Sequence, residues 1–275
     1  MDKDIAQSKK ENLVDQIKGL ESLLVAFSGG VDSTFLLAVA HEILGEKAMA
    51  ATASSEIHSQ LELREASDFT RERNIKHIVF ASDEMGLLAF VSNDTDRCYH
   101  CKRRLFDSIF AIAKENGIMH VAHGANLDDL NDYRPGFRAA KETGVIAPLM
   151  DAGLNKEEIR FLSREMGLST WNKPAQPCLA TRIPYGSLIT SEKLEMIERA
   201  ESFLSKQGFK EIRVRHHGSM ATIEVNAGSL KEILNERLRK NILEKFREIG
   251  FKHITLDLEG HVTGKMNRGL RGEAE

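Results

Sequence analysis

Chemistry-bearing residues concentrate in three cysteines and one glycine-rich turn. Cys98 and Cys101 bracket Tyr99-His100 as a CxxC pair, and Cys178 stands alone in the proline-rich stretch NKPAQPCLATRIPYG, 172–186. A lone CxxC has several readings: half a zinc site, a redox dithiol, or part of the ligand set of an iron–sulfur cluster. A full zinc site usually shows a second pair at similar spacing, and none follows, although His100 or His123 would complete one. Thioredoxin-like surroundings for a redox pair are missing, and two inert thiols are the plain alternative. An odd cysteine count argues against a disulfide framework and towards thiol or metal chemistry.

The stretch AFSGGVDST, 26–34, is the second feature. An apolar run empties into Ser28-Gly29-Gly30-Val31-Asp32-Ser33, and a helix is expected to begin at about Asp32 or Ser33. Two glycines let the backbone turn tightly and bring its N–H groups against an anion, and the helix N-terminus adds its dipole. Ser28 and Ser33 contribute hydroxyls, and Asp32 would hold a magnesium ion or cap the helix. No lysine follows the glycines, so this is not the GxxxxGK[ST] loop. A simple strand-to-helix turn is the alternative.

Supporting residues carry weaker signals. Arg182, four residues beyond Cys178, would lower a thiolate's pKa, bind a phosphate, or serve as a surface salt-bridge partner. Asp128 and Asp129 follow an expected strand, where they would position magnesium or nucleotide or cap a turn, and Asp132 and Arg134 read similarly. Further on, strand alternation puts Arg213, Arg215 and His217 on one face, suited to a substrate phosphate, a subunit contact or solvent.

These residues need a frame. Strand-like runs at 22–28, 48–54, 76–82 and 119–125 alternate with helical patterns at 33–44, 59–74 and 102–117, which predicts a doubly wound, mostly parallel α/β sheet. A polar stretch and a helix at 155–167 follow. Beyond the cysteine loop the pattern changes to helix 191–207, strands 210–218 and 220–226, helix 229–248 and strand 253–259, a smaller α+β unit expected to hold an antiparallel sheet. The domains are therefore drawn as 1–170, a linker loop 171–190, 191–260 and a mobile tail 261–275. The chain has 275 residues and a net charge of −3, which argues against a general nucleic-acid binder. With no long apolar run and a charged N-terminus, it is expected to be cytoplasmic, without membrane contact.

Taken with CYHCKRRLF (98–106), GANLDDLNDYRPG (124–136) and PCLATRIPYG (177–186), the SGGVDS loop resembles the pyrophosphate-loop enzymes, and within them the LarE family of sulfur transferases of nickel-pincer-nucleotide biosynthesis. The resemblance implies an enzyme that uses ATP with Mg2+ to adenylate a carboxylate of a small nucleotide, pyridinium-3,5-dicarboxylate mononucleotide, and replaces its oxygen by sulfur. It implies nucleotide binding by residues 28–33 and a catalytic role for Asp32, Cys178 and Arg182. It offers two sulfur sources. A single cysteine at the position of Cys178 donates its own sulfur, or that cysteine joins a CxxC pair in holding a 4Fe–4S cluster that carries sulfide. This chain has the second pattern, with Cys98, Cys101 and Cys178 as ligands. Sulfide or a sulfur-delivery protein would be a partner, and a homo-oligomer is expected. A pyrophosphate-loop tRNA thiolase and a zinc-stabilised, non-catalytic nucleotide-binding protein are the rival readings.

Overall fold

The computed structural model describes residues 1–131, 135–262 and 264–268. The chain divides into two compact units, Met1–Phe90 with Thr95–Gln176, and Val91–Asp94 with Pro177–Glu275. Its elements are α1 (Lys3–Lys18), β1 (Leu23–Ala26), α2 (Val31–Leu44), β2 (Ala48–Ser54), α3 (Gln60–Glu72), β3 (Lys76–Ala81), α4 (Leu88–Val91), α5 (Arg97–Glu115), β4 (His120–His123), α6 (Pro135–Thr143), α7 (Pro148–Asp151) and α8 (Lys156–Glu165). Then follow α9 (Ser191–Lys206), β5 (Ile212–His217), β6 (Met220–Val225), α10 (Leu230–Ile233), α11 (Glu236–Ile249) and β7 (His253–Leu256).

The first unit holds a parallel sheet in the order β3-β2-β1-β4. Leu23 and Val25 of β1 join a core with α1, α2 and α8, while Leu24 faces a second core with α5. A sheet covered on both faces needs strands that are apolar throughout, and β2 is buried from Ala48 to Ala53. The chain runs outward from β1 to β3 and then returns to β4 on β1's other side. The strand order therefore reverses between β1 and β4, the place where such sheets bind ligands.

In the second unit, α9 and α11 cover one face of the sheet β5-β6-β7, burying Ala200, Leu204, Ile242 and Phe246 against Val214, Ala221 and Ile223. The sheet is mixed rather than antiparallel: β5 and β6 are antiparallel, but β6 and β7 are parallel. A helical crossover, α10 and α11, joins β6 to β7, and a crossover returns the next strand in the same direction. The helix expected at 229–248 breaks before Asn235, whose side chain accepts from the N–H groups of Arg237 and Leu238 and starts α11 afresh.

Two further differences concern the first unit. The charged N-terminus forms α1, capped by Asp2 and burying Ala6, Leu13 and Ile17 along one stripe. The polar stretch after β4 contains α6, which packs on α5. Within the segment expected to be a tail, Lys265–Asn267 form a 3-10 turn, and Lys265 pairs with Asp257 at 2.5 Å. No helix among the described residues is long and apolar enough to cross a membrane.

Candidate functional site

The phosphate loop is set by what precedes it. Thr52 Oγ1 on β2 donates to the Phe27 carbonyl at 2.7 Å and accepts from His77 Nε2 at 2.7 Å, fixing the point where the chain leaves β1. Burial lowers the His77 pKa, which favours the neutral ring. Gly29 then takes a positive φ of 67°, and a Cβ there would meet the Ala66 Cβ of α3 at 3.1 Å. Both facts demand glycine. Ser28 Oγ accepts from the Gly30 N–H at 3.3 Å and exchanges a hydrogen bond with Ser33 Oγ at 3.0 Å. Gly30 is the N-cap of α2 and offers no side chain to its first turn, so the backbone donors at Val31 and Ser33 are not capped by it and suit an anion. Gly124, at the exit of β4, lies so close that a Cβ would be 2.7 Å from the Ser33 nitrogen.

Asp32 is the acid of this turn. Burial raises its pKa, opposed by the ammonium of Lys156, whose Nζ donates to Oδ2 at 2.5 Å; the nearby Asp129 raises it further. The other oxygen, Oδ1, is buried and has no hydrogen-bond partner among the described residues. An orphaned carboxylate oxygen beside a second carboxylate fits a hard, oxygen-seeking cation such as Mg2+. Asp128 instead braces α8, where its Oδ2 accepts the Lys156 backbone N–H at 2.9 Å. Asp129 Oδ2 accepts the Asn126 N–H at 2.9 Å. Asp132 and Arg134 lie outside the described residues.

Two lysines that the sequence motifs do not mark border the loop. Besides Lys156, Lys173 Nζ donates to the Gly29 carbonyl at 2.9 Å and pairs with Glu65 at 2.7 Å. One signal for Lys156 was available: a cation in a helix's first turn opposes the helix dipole and calls for an anionic partner.

Cys98 and Cys101 lie inside α5, as its second and fifth residues and not before it, because the helix starts at Arg97. Their i, i+3 spacing puts both thiols on one side of the turn. Neither is in a disulfide, and both are partly exposed. His100 Nε2 approaches Asp96 at 3.3 Å. His123 is packed edge-on against Phe106 and Phe137, and burial, helped by Lys102, lowers its pKa to about 4. Among the described residues no group of three His, Cys, Asp or Glu side chains is arranged to hold a metal ion.

Cys178, in the second unit, is the N-cap of the 3-10 turn Leu179–Arg182, partly exposed and not in a disulfide. Its carbonyl accepts from the Thr181 N–H at 3.0 Å, Thr181 Oγ1 at 2.8 Å and Arg182 Nη1 at 3.0 Å. Arg182 is 1% exposed; Nη1 also donates to the Pro177 carbonyl, while Nε and Nη2 grip Glu201 at 2.9 Å each. The guanidinium thus organises the backbone that presents Cys178. Glu201 Oε1 accepts the Val214 N–H at 2.9 Å as well, tying the turn to β5.

Arg213 and Arg215 do share a face of β5, opposite the apolar one, but both are largely covered. Arg215 makes a two-pronged pair with Glu224, 2.9 Å on each side, and donates to the Thr181 carbonyl at 2.8 Å. Arg213 is 5% exposed, and burial next to Arg182 lowers its pKa to about 10. His217 is exposed. His216 points to the core, 5.4 Å from the Phe251 ring.

Fold and loop together define a pyrophosphate-loop protein. No protein-family model matches the chain. It is 40% identical over 264 residues, 96% of this chain and 98% of the relative, to an uncharacterised protein of Synechocystis sp.. It is 34% identical over 266 residues, 96% of this chain and 95% of the relative, to the pyridinium-3,5-bisthiocarboxylic acid mononucleotide synthase of Lactiplantibacillus plantarum. A more distant likeness, 24% over 214 residues covering 72% of this chain and 67% of the relative, joins it to a glutamine-hydrolysing GMP synthase chain of Thermoplasma volcanium. The chain belongs to the family of the pyridinium-3,5-bisthiocarboxylic acid mononucleotide synthase.

Proposed function

We propose that this chain is an ATP-dependent sulfur transferase that adenylates a carboxylate of pyridinium-3,5-dicarboxylate mononucleotide and converts it to a thiocarboxylate. The observation that carries the reading is the near full-length similarity to the synthase, joined to a phosphate loop whose acid keeps one oxygen unused.

The residues divide the work as follows. Gly29, Gly30 and the first turn of α2 cradle the polyphosphate, with Ser28 and Ser33 adding hydroxyl donors. Asp32 would hold Mg2+, which neutralises phosphate charge when bound. A substrate carboxylate oxygen attacks the α-phosphorus, the bond to the bridging oxygen breaks, and pyrophosphate leaves with that electron pair. The resulting mixed anhydride turns a poor leaving group into AMP. Sulfur then attacks the carbonyl carbon, and AMP departs. Cys98, Cys101 and Cys178 are thiols of the ligand type that a 4Fe–4S cluster takes, and such a cluster, if they held one, would supply sulfide as the nucleophile. Arg182 and Thr181 hold the backbone of Cys178 for this step.

Pyrophosphate release tests the reading. It is expected only when ATP and the mononucleotide are both present, together with a product heavier by the exchange of oxygen for sulfur. Release with ATP alone, or none with both, overturns it.

A further inference from the structure

Helix α8 makes two sets of bonds from one face. Lys156 and Arg160 are four residues apart, so their side chains rise from neighbouring positions on the same side. Lys156 reaches Asp32 in the phosphate loop at 2.5 Å. Arg160 clamps the segment that follows the helix: Nη1 donates to the Trp171 carbonyl at 3.0 Å, and Nη2 to the Lys173 carbonyl at 3.0 Å. Lys173 closes the circuit by returning its ammonium to the Gly29 carbonyl. The phosphate loop, α8 and residues 171–173 therefore form one ring of charge-assisted bonds.

Cys178 follows Lys173 by five residues, through Pro174-Ala175-Gln176-Pro177. Each proline fixes its own φ, and Lys173, ahead of Pro174, is extended at φ −65°, ψ 130°. A connection of this composition is semi-rigid and passes on a displacement instead of absorbing it.

We propose that Lys173 and Arg160 are positioning residues that couple nucleotide occupancy of the phosphate loop to the presentation of Cys178. The physical cause is a change of partner. Here the Lys173 ammonium serves the Gly29 carbonyl and the half-exposed Glu65 carboxylate. A polyphosphate entering the loop offers several anionic oxygens, a stronger draw for an ammonium than a neutral carbonyl and one solvent-screened carboxylate. Lys173 turns towards the phosphate, Arg160 holds its carbonyl as a pivot, and the proline segment carries the movement to Cys178.

This rests on the reading of residues 28–33 as a nucleotide site, so the experiment measures binding and coupling separately. The full chain is titrated with Mg2+ and AMP-PNP by calorimetry. The rate of Cys178 alkylation by iodoacetamide is then followed by peptide mass spectrometry, empty and at saturation. Wild-type protein should change its Cys178 rate by at least about fivefold on saturation, the lower end of ordinary coupling between linked sites. In Lys173→Met and Arg160→Met, each saturated by its own titration, the change should fall below about twofold, and Lys173→Arg should restore it. A purely structural loss would alter both empty and saturated rates and leave their ratio intact. Arg160→Met decides should Lys173→Met fail to fold, since it leaves the phosphate loop untouched. Wild-type protein that binds AMP-PNP without altering the Cys178 rate overturns the proposal, as do variants that keep the full response. Absence of AMP-PNP binding overturns the nucleotide reading itself.

Discussion

Lys156 and Asp32, 124 residues apart in the chain, meet at 2.5 Å beside the phosphate loop, and the lysine is the counter-ion of the loop's acid. The pair is lopsided. Burial raises the Asp32 pKa from 3.8 despite the ammonium, so desolvation outweighs attraction at this site.

That imbalance predicts how stability depends on pH. The folded pKa of Asp32 lies above its unfolded value of 3.8, so its contribution is fully present below pH 3.8 and lost as pH rises through the folded pKa. Asp32→Asn removes the titration. In Mg2+-free buffer the variant should match wild type near pH 3.8 and exceed it in thermal midpoint at pH 7. The same variant should lose adenylation by about 10²–10³-fold, the usual effect of deleting one preorganised electrostatic group. Equal midpoints at pH 7, or native pyrophosphate release, would refute the assignment.

Gly29→Ala should fail for two separable reasons. The positive φ costs an alanine roughly 1–2 kcal/mol, and its methyl would crowd Ala66. Calorimetry should show lost AMP-PNP binding, while urea unfolding reports only the strain. Gly124→Ala, whose Cβ would lie 2.7 Å from the Ser33 nitrogen, should also weaken binding by pushing on the first turn of α2.

The strands of the first unit and the phosphate loop were legible because their signals are local: apolar runs of strand length, and two glycines between a strand and a helix. Helix α1 was hidden by its charge, since only Ala6, Leu13 and Ile17 reach the core. Lys156 and Lys173 escaped because their partners are far away in the chain and no local pattern marks them. For Arg182 the sequence leaves open a thiolate partner, a phosphate or a surface salt bridge; the structure gives the salt bridge, but buried. Its burial against Glu201 depends on α9, which the sequence around Arg182 does not encode.

Arg182 supplies a stability prediction. Its guanidinium is buried and makes five hydrogen bonds, to both oxygens of Glu201, Thr181 Oγ1 and the carbonyls of Pro177 and Cys178. Arg182→Met strands the Glu201 carboxylate and should cost about 3–5 kcal/mol, read from urea denaturation. Arg182→Lys should recover less than half, because one ammonium cannot reproduce a planar fork. Near-native stability of the methionine variant would mean that the pair contributes little and that Thr181 alone fixes the Cys178 carbonyl.

The source of the transferred sulfur is decided by counting products. If Cys98, Cys101 and Cys178 hold a cluster, protein reconstituted anaerobically should bind about four irons per chain and lose them in any one of the three Cys→Ala variants. Three thiolate ligands would leave one iron of such a cluster without a protein ligand. With sulfide, ATP and mononucleotide in excess, each chain should then form more than one thiocarboxylate, and Cys178 should keep its mass. If Cys178 gives up its own sulfur, each chain yields a single thiocarboxylate and the residue loses the mass of hydrogen sulfide, leaving dehydroalanine. In that case Cys98→Ala and Cys101→Ala should be as active as wild type in a single turnover. The two outcomes separate the sulfur step from the adenylation step, because pyrophosphate release would be the same in both.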